Sequence, residues 1–83
     1  MVVRLHPHAM ERLRERGATE EEVKMAVETG ERFPAKFGRT RFRQSFHFES
    51  TWQGNFYITK EVEVIAFAEG EDWLVITVVT RYY

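Results

Sequence analysis

Cysteine is absent from the chain. No disulfide framework, thiolate metal site or cysteine nucleophile is therefore available, and the absence fits a reducing, cytoplasmic setting. No apolar run approaches the roughly 18–20 residues of a membrane-spanning helix. The opening "MVVRLHPHAM" lacks the apolar core of a signal peptide, and charge begins at Arg4. Net charge is nearly missing too: a formal −1 gives no global attraction to nucleic acid, so any such binding needs a local basic patch. No linker, internal repeat or low-complexity tract interrupts the chain.

What is present suits one small globular domain over residues 1–83, with 43% hydrophobic and 30% charged residues. A chain of this size buries roughly 60–65% of its unfolded surface. Pro7 suits the first position of a helix, where its missing N–H has no intrahelical partner. His6 is then the expected cap, Ala9, Met10 and Leu13 the apolar stripe, and Gly17 the stop after Arg16. In "TEEEV", Thr19 and Glu22 form a capping box with acidic residues favourable to the helix dipole. Val23, Ala26 and Val27 give that helix its buried stripe, and Gly30 ends it.

From Phe33 the period changes to two. In "RFRQSFHF", Phe42, Phe46 and Phe48 face one way and Arg41, Arg43, Ser45 and His47 the other. "TWQGNF" reads as a turn around Gly54, "FYIT" and "VEVIAFA" as strands, and "EGED" as a hairpin turn. "WLVITVVTRYY" is apolar on both faces, as expected of a central strand. Two helices followed by four strands imply an α+β fold: a four-stranded, mainly antiparallel sheet with both helices on one face. The other face is left showing arginine and aromatic groups, unless the loop from Phe33 to Gly38 folds over it.

The first helix carries the densest chemistry. His8, Arg12 and Arg16 recur at four-residue spacing, which aligns them down one face. The plain reading is a solvated face with a few exposed ion pairs. The functional reading makes His8 an acid or base, a role suited to imidazole near neutral pH. Arg12 and Arg16 become fixed cations for a phosphate. His6, His8 and His47 form a metal site only if the fold converges them, and nothing in their spacing requires it. Neither a metal nor another cofactor is expected, and no serine triad is visible.

A second basic group, "KFGRTRFRQ", holds Lys36, Arg39, Arg41 and Arg43 with Phe37 and Phe42 interleaved. It has the charge and stacking groups that single-stranded RNA favours, or else it is an edge strand guarded by charge. "TRYY" adds Thr80, Arg81, Tyr82 and Tyr83, the two tyrosines pointing to opposite faces.

The stretch "HPHAMERLRERGATEEEV" resembles the N-terminal signature of a small bacterial family of domains of unknown function. Its members show a histidine followed by alanine, arginines on the same helix, a short turn and an acidic second helix. The final "LVITVVTRYY" fits that family as well. The family is similar to the RelE, ParE and BrnT toxins, in which two N-terminal helices pack on an antiparallel sheet, often as metal-independent ribonucleases. The resemblance implies a toxin-like, RNA-cleaving or ribosome-directed role, with RNA or the ribosome as target and an antitoxin protein as partner. It places His8, Arg12, Arg16 and Thr80 at site positions and, more loosely, Arg81 and Tyr82. One expectation is thus a metal-independent endoribonuclease, with Arg39, Arg41, Arg43 and Arg81 at the RNA phosphates. The other is a non-catalytic interaction module, homodimeric or bound to another protein through the open face of its sheet.

Overall fold

The computed structural model describes residues 1–83 as an α+β fold of two helices on a five-stranded sheet. In chain order the elements are β1 (Val3–Leu5), α1 (Pro7–Arg16), α2 (Glu20–Thr29), β2 (Glu31–Pro34), a 3₁₀ turn (Lys36–Gly38), β3 (Thr40–Trp52), β4 (Asn55–Glu69) and β5 (Asp72–Tyr82). The sheet order is β1-β5-β4-β3-β2. β1 runs parallel to β5, and every other pairing is antiparallel.

Both helix starts form by the expected local chemistry. His6 Nδ1 accepts from the His8 N–H at 3.1 Å, capping α1 with Pro7 in its first turn. Thr19 and Glu22 complete the capping box of α2 from both sides. Gly17 ends α1 in the left-handed region, at φ 72°. Gly30 ends α2 for a different reason. Its backbone is extended, but a Cβ there would meet the Ala26 and Arg43 carbonyl oxygens at 2.5 and 2.7 Å.

The expectation of four strands needs three corrections. Val3–Leu5 forms a fifth strand, too short to show a period, whose partner Trp73–Val75 lies about 70 residues further on. Glu31–Pro34 forms β2 on the opposite edge. "FYIT" and "VEVIAFA" are one strand, β4, because the polar residues between them do not break it. Lys60, only 5% exposed, ion-pairs with Glu22 and donates to the Gly17 carbonyl, both at 2.9 Å. A charge in mid-strand ends it only when the charge must reach water.

The core lies between the helices and one face of the sheet. Ala9, Leu13, Val23, Ala26 and Val27 of the helices meet Phe42, Val62, Val64, Ala66, Trp73, Val75 and Val78. Phe42 and Trp73 make an edge-to-face contact at 4.9 Å between ring centroids, a geometry that adds to simple burial. β5 lies inside the sheet, between β1 and β4. Its outer-face residues Leu74, Ile76 and Val79 are half-buried rather than buried. The residues from Phe33 to Gly38 form the end of β2 and the 3₁₀ turn at the sheet edge, where they border that face without closing over it along its length, and Phe37 is 82% exposed. No helix is long and apolar enough to cross a membrane.

Candidate functional site on the open sheet face

The face of the sheet turned away from the helices carries the polar and charged side chains of three strands. Alternation along β3 puts Arg41, Arg43, Ser45 and His47 in one stripe, which the extended Arg39 just before the strand continues. Successive members lie about 6.6 Å apart, so the stripe runs about 26 Å. Pairing brings Glu63 opposite Arg43, Glu61 opposite Ser45 and Thr59 opposite His47. On the other side of β4, Arg81 lies opposite Glu61 and Val79 opposite Glu63. Arg43, Ser45, His47, Glu61, Glu63 and Arg81 thereby form one contiguous patch, since cross-strand neighbours sit about 4.5–5.5 Å apart.

Within this patch the charges are paired. Arg81 Nη1 donates to Glu61 at 2.9 Å and to Glu63 at 3.2 Å, and Glu63 is buried. Burial alone would lower the Arg81 pKa. The charge of Glu63 and the hydrogen bonds to Glu61 and Glu63 outweigh it, so the pKa is raised and the guanidinium stays cationic. Arg43 approaches Glu31 at 3.4 Å and His47 Nε2 approaches Glu49 at 3.3 Å. The Ser45 and Tyr83 hydroxyls lie 3.4 Å apart.

Toward the β2 edge the cations lose their partners. Lys36, Arg39 and Arg41 make no ion pair, whereas Arg4, Arg12, Arg43, Lys60 and Arg81 each do. The Nε atoms of Arg39 and Arg41 are buried without a hydrogen-bond partner. Their guanidinium groups lie over aromatic rings: Arg39 is 5.0 Å from Phe67 and 5.8 Å from Phe37, and Arg41 is 5.1 Å from Phe33. A cleft of about 630 Å³ opens here, lined by Pro34, Ala35, Lys36, Phe37, Arg39, Arg41 and Ile65. Phe37 adopts φ 61°, a conformation disfavoured for a bulky residue. From Glu31 to Arg43 the chain holds five cations against one carboxylate, the local basic patch that the near-neutral total conceals.

The two groups of expected site residues separate in space. His8 is exposed at the start of α1. Arg12 ion-pairs with Glu15 at 2.8 Å. Thr80 and Tyr82 lie at the opposite end of that helix, where both hydroxyls donate to the Arg16 carbonyl, at 3.0 and 2.6 Å. Eight residues of helix put His8 about 12 Å from Arg16 along the axis, so His8 does not share the end of β5 that holds Thr80 and Tyr82. Arg16 is brought to Thr80 and Tyr82, but through its backbone oxygen. Tyr82 is further enclosed by Phe48, Trp52 and Tyr57, with ring centroids at 5.3, 5.2 and 5.6 Å. Arg39, Arg41, Arg43 and Arg81 do share one face.

Phe42 is not a stacking group, because it is buried on the helix side, and Phe33 takes its place between Arg41 and Arg43. Nor is the first part of β3 an edge, since β2 covers Thr40 to Arg43. No three histidine or acidic side chains converge as a ligand set. His6 hydrogen-bonds beside Val75, while His47 pairs with Thr59 next to Tyr83. Along β5 those ends are about 26 Å apart.

Glu61 and Glu63 were not singled out by the sequence. Their spacing in "KEVEV" puts them on one face, but only the register shows that this face also holds Ser45 and Arg81. No family model, curated protein or solved structure matches the chain.

Proposed function

We propose that the chain is a toxin-like protein that binds single-stranded RNA along the open face of its sheet and cleaves it without a metal. The observation that carries this reading is the continuity of two features: the unpartnered cations Lys36, Arg39 and Arg41 beside Phe37, and the acid–base patch of Glu61, His47 and Arg81 further along β3. Cations supply sequence-independent attraction to phosphates, and exposed rings stack on unpaired bases.

In this reading the RNA 2′-oxygen attacks the adjacent phosphorus. Glu61 takes the 2′-hydroxyl proton, and His47 in its charged form donates a proton to the departing 5′-oxygen. The P–O5′ bond breaks, leaving a 2′,3′-cyclic phosphate and a 5′-hydroxyl. Arg81 and Arg43 stabilise the charge that builds on the phosphoryl oxygens, usually the largest single contribution. His8 lies outside this patch and becomes part of the solvated helix face. The resemblance of the N-terminal helices and last strand to the toxin-related family agrees with the same class of substrate.

Labelled single-stranded RNA incubated with the protein alone in EDTA, and in a separate reaction with ribosomes in magnesium buffer, tests the proposal. Cleavage to 2′,3′-cyclic ends, lost in Glu61→Gln and retained in His8→Ala, is the expected result. RNA bound but uncut under both conditions would reduce the proposal to binding alone. Failure to bind RNA would favour the second reading, a protein-interaction module. The half-buried apolar row of Leu74, Ile76 and Val79 on the same face motivates that alternative.

A further inference from the structure

The open face has a second group of exposed apolar side chains at the end opposite the cleft. Phe56 is 62% exposed, Ile58 51% and Tyr83 60%. The register between β3 and β4 shifts there, with Phe48 and Glu49 of β3 forming a bulge opposite Ile58, and the backbone N–H groups of Ile58 and Thr59 both donate to the Tyr83 backbone oxygen, at 3.1 and 2.8 Å. Such a bulge re-aims the side chains beyond it. It leaves Tyr57 against Tyr82, on the helix side, and frees Phe56 and Ile58 from that aromatic cluster. Thr59, beside the bulge, pairs with His47 of the patch, and the Tyr83 hydroxyl reaches Ser45. The apolar group therefore continues the polar patch without a gap.

We infer that Phe56, Ile58 and Tyr83 are a second base-stacking platform, and that the RNA strand runs between it and Phe37 with its reactive phosphate at the patch between them. This inference rests on the RNA reading above. The occupant follows from charge and shape. The stripe of Arg39, Arg41 and Arg43, continued by Ser45 and His47, suits a polyanion, and the exposed rings of Phe37, Phe56 and Tyr83 at its two ends suit unpaired bases. The platforms lie at opposite ends of a stripe about 26 Å long. A stacked strand advancing about 3.4 Å per nucleotide spans it in about eight nucleotides, and an extended strand in fewer. A strand of four stacked nucleotides reaches only one platform.

Fluorescence anisotropy with 5′-labelled oligouridylates of four and twelve nucleotides tests this, using Glu61→Gln as the background so that the strand is not cut. The twelve-mer is expected to bind at least about tenfold more tightly than the four-mer, the scale of one or two stacked bases. Phe56→Ala/Ile58→Ser removes most of that preference and leaves four-mer binding within about twofold, whereas Phe56→Tyr/Ile58→Phe retains it. Both positions are exposed, so melting temperature should barely move. A twelve-mer preference that survives in the Ala/Ser variant would overturn the second platform while leaving the RNA reading intact. If neither oligomer binds the unsubstituted platforms, the RNA reading falls and the inference with it.

Discussion

The hydroxyl of Tyr82 donates a 2.6 Å hydrogen bond to the carbonyl oxygen of Arg16, 66 residues earlier in the chain. The last turn of a helix leaves carbonyls without intrahelical partners. Here the sheet supplies them: Thr80 also donates to Arg16, and Lys60 to Gly17. Two residues expected at a catalytic site are therefore fasteners between α1 and β5. Tyr82→Phe should cost about 1–2 kcal/mol in urea denaturation, with RNA cleavage unchanged below the transition.

Alkaline pH should expose the same bond. Burial raises the Tyr82 pKa above the usual value of about 10, and the Glu22 charge adds to this while the hydrogen bond with Thr80 opposes it. The unfolded chain then loses this proton at lower pH than the folded one. The contribution of Tyr82 is complete below about pH 10 and declines as pH rises through the folded-state value. Melting temperatures measured from pH 8 to 11.5 should fall less steeply in Tyr82→Phe than in the wild type.

Lys60 and Glu22 make a pair with side chains only 7% and 17% exposed. Glu22 also accepts from the Thr19 N–H, so one carboxylate serves the helix cap and the buried ammonium. Lys60→Met should cost about 3–5 kcal/mol, because it strands a desolvated charge. The double variant Lys60→Met/Glu22→Gln should recover part of that loss. Additive losses in the cycle would show that the two side chains are not coupled.

Gly17 carries two constraints at once. Its φ of 72° disfavours a side chain, and a Cβ would lie 2.6 Å from the Trp52 ring and 2.7 Å from the Tyr82 hydroxyl. Gly17→Ala should therefore cost more than the roughly 1 kcal/mol of left-handed strain alone. Trp52 fluorescence should shift with it, since the ring must move.

Arg41 and Arg81 test the open face differently. Arg41→Ser removes an unpartnered cation and should weaken RNA binding at every sequence, reducing the salt slope by about one. Arg81→Ser should slow cleavage more than it weakens binding, by about 10²-fold or more. It also leaves buried Glu63 without its cation.

Local chemistry made both helices legible in advance, down to His6, Thr19 and Gly17 as their boundaries. The strands were legible where they alternated, as in β3. They were misread where a partner elsewhere overrode the local pattern. Lys60 broke the alternation of β4 without ending it, since Glu22 and the Gly17 carbonyl take up its charge and its donors. β1 gave no signal in three residues, because its reason to exist is an edge at Trp73–Val75. The candidate site was half legible: the arginines of β3 could be placed on one face, but Glu61 joined them only through register. The stripe of His8, Arg12 and Arg16 was spaced correctly for one helix face, yet that helix turns its other side to the core and its far end to Tyr82.

The parallel pairing of β1 with β5 also governs the order in which the chain can be completed. Val3–Leu5 and α1 leave the ribosome well before their neighbours on β5 are translated. Until then Ala9, Leu13 and β1 have no surface to settle on, and β5 must enter the gap between a waiting β1 and β4. Synthesis can preassemble the β3–β4 hairpin. The native arrangement closes only once β5 is in place, so an arrested nascent chain should remain protease-sensitive until β5 has emerged.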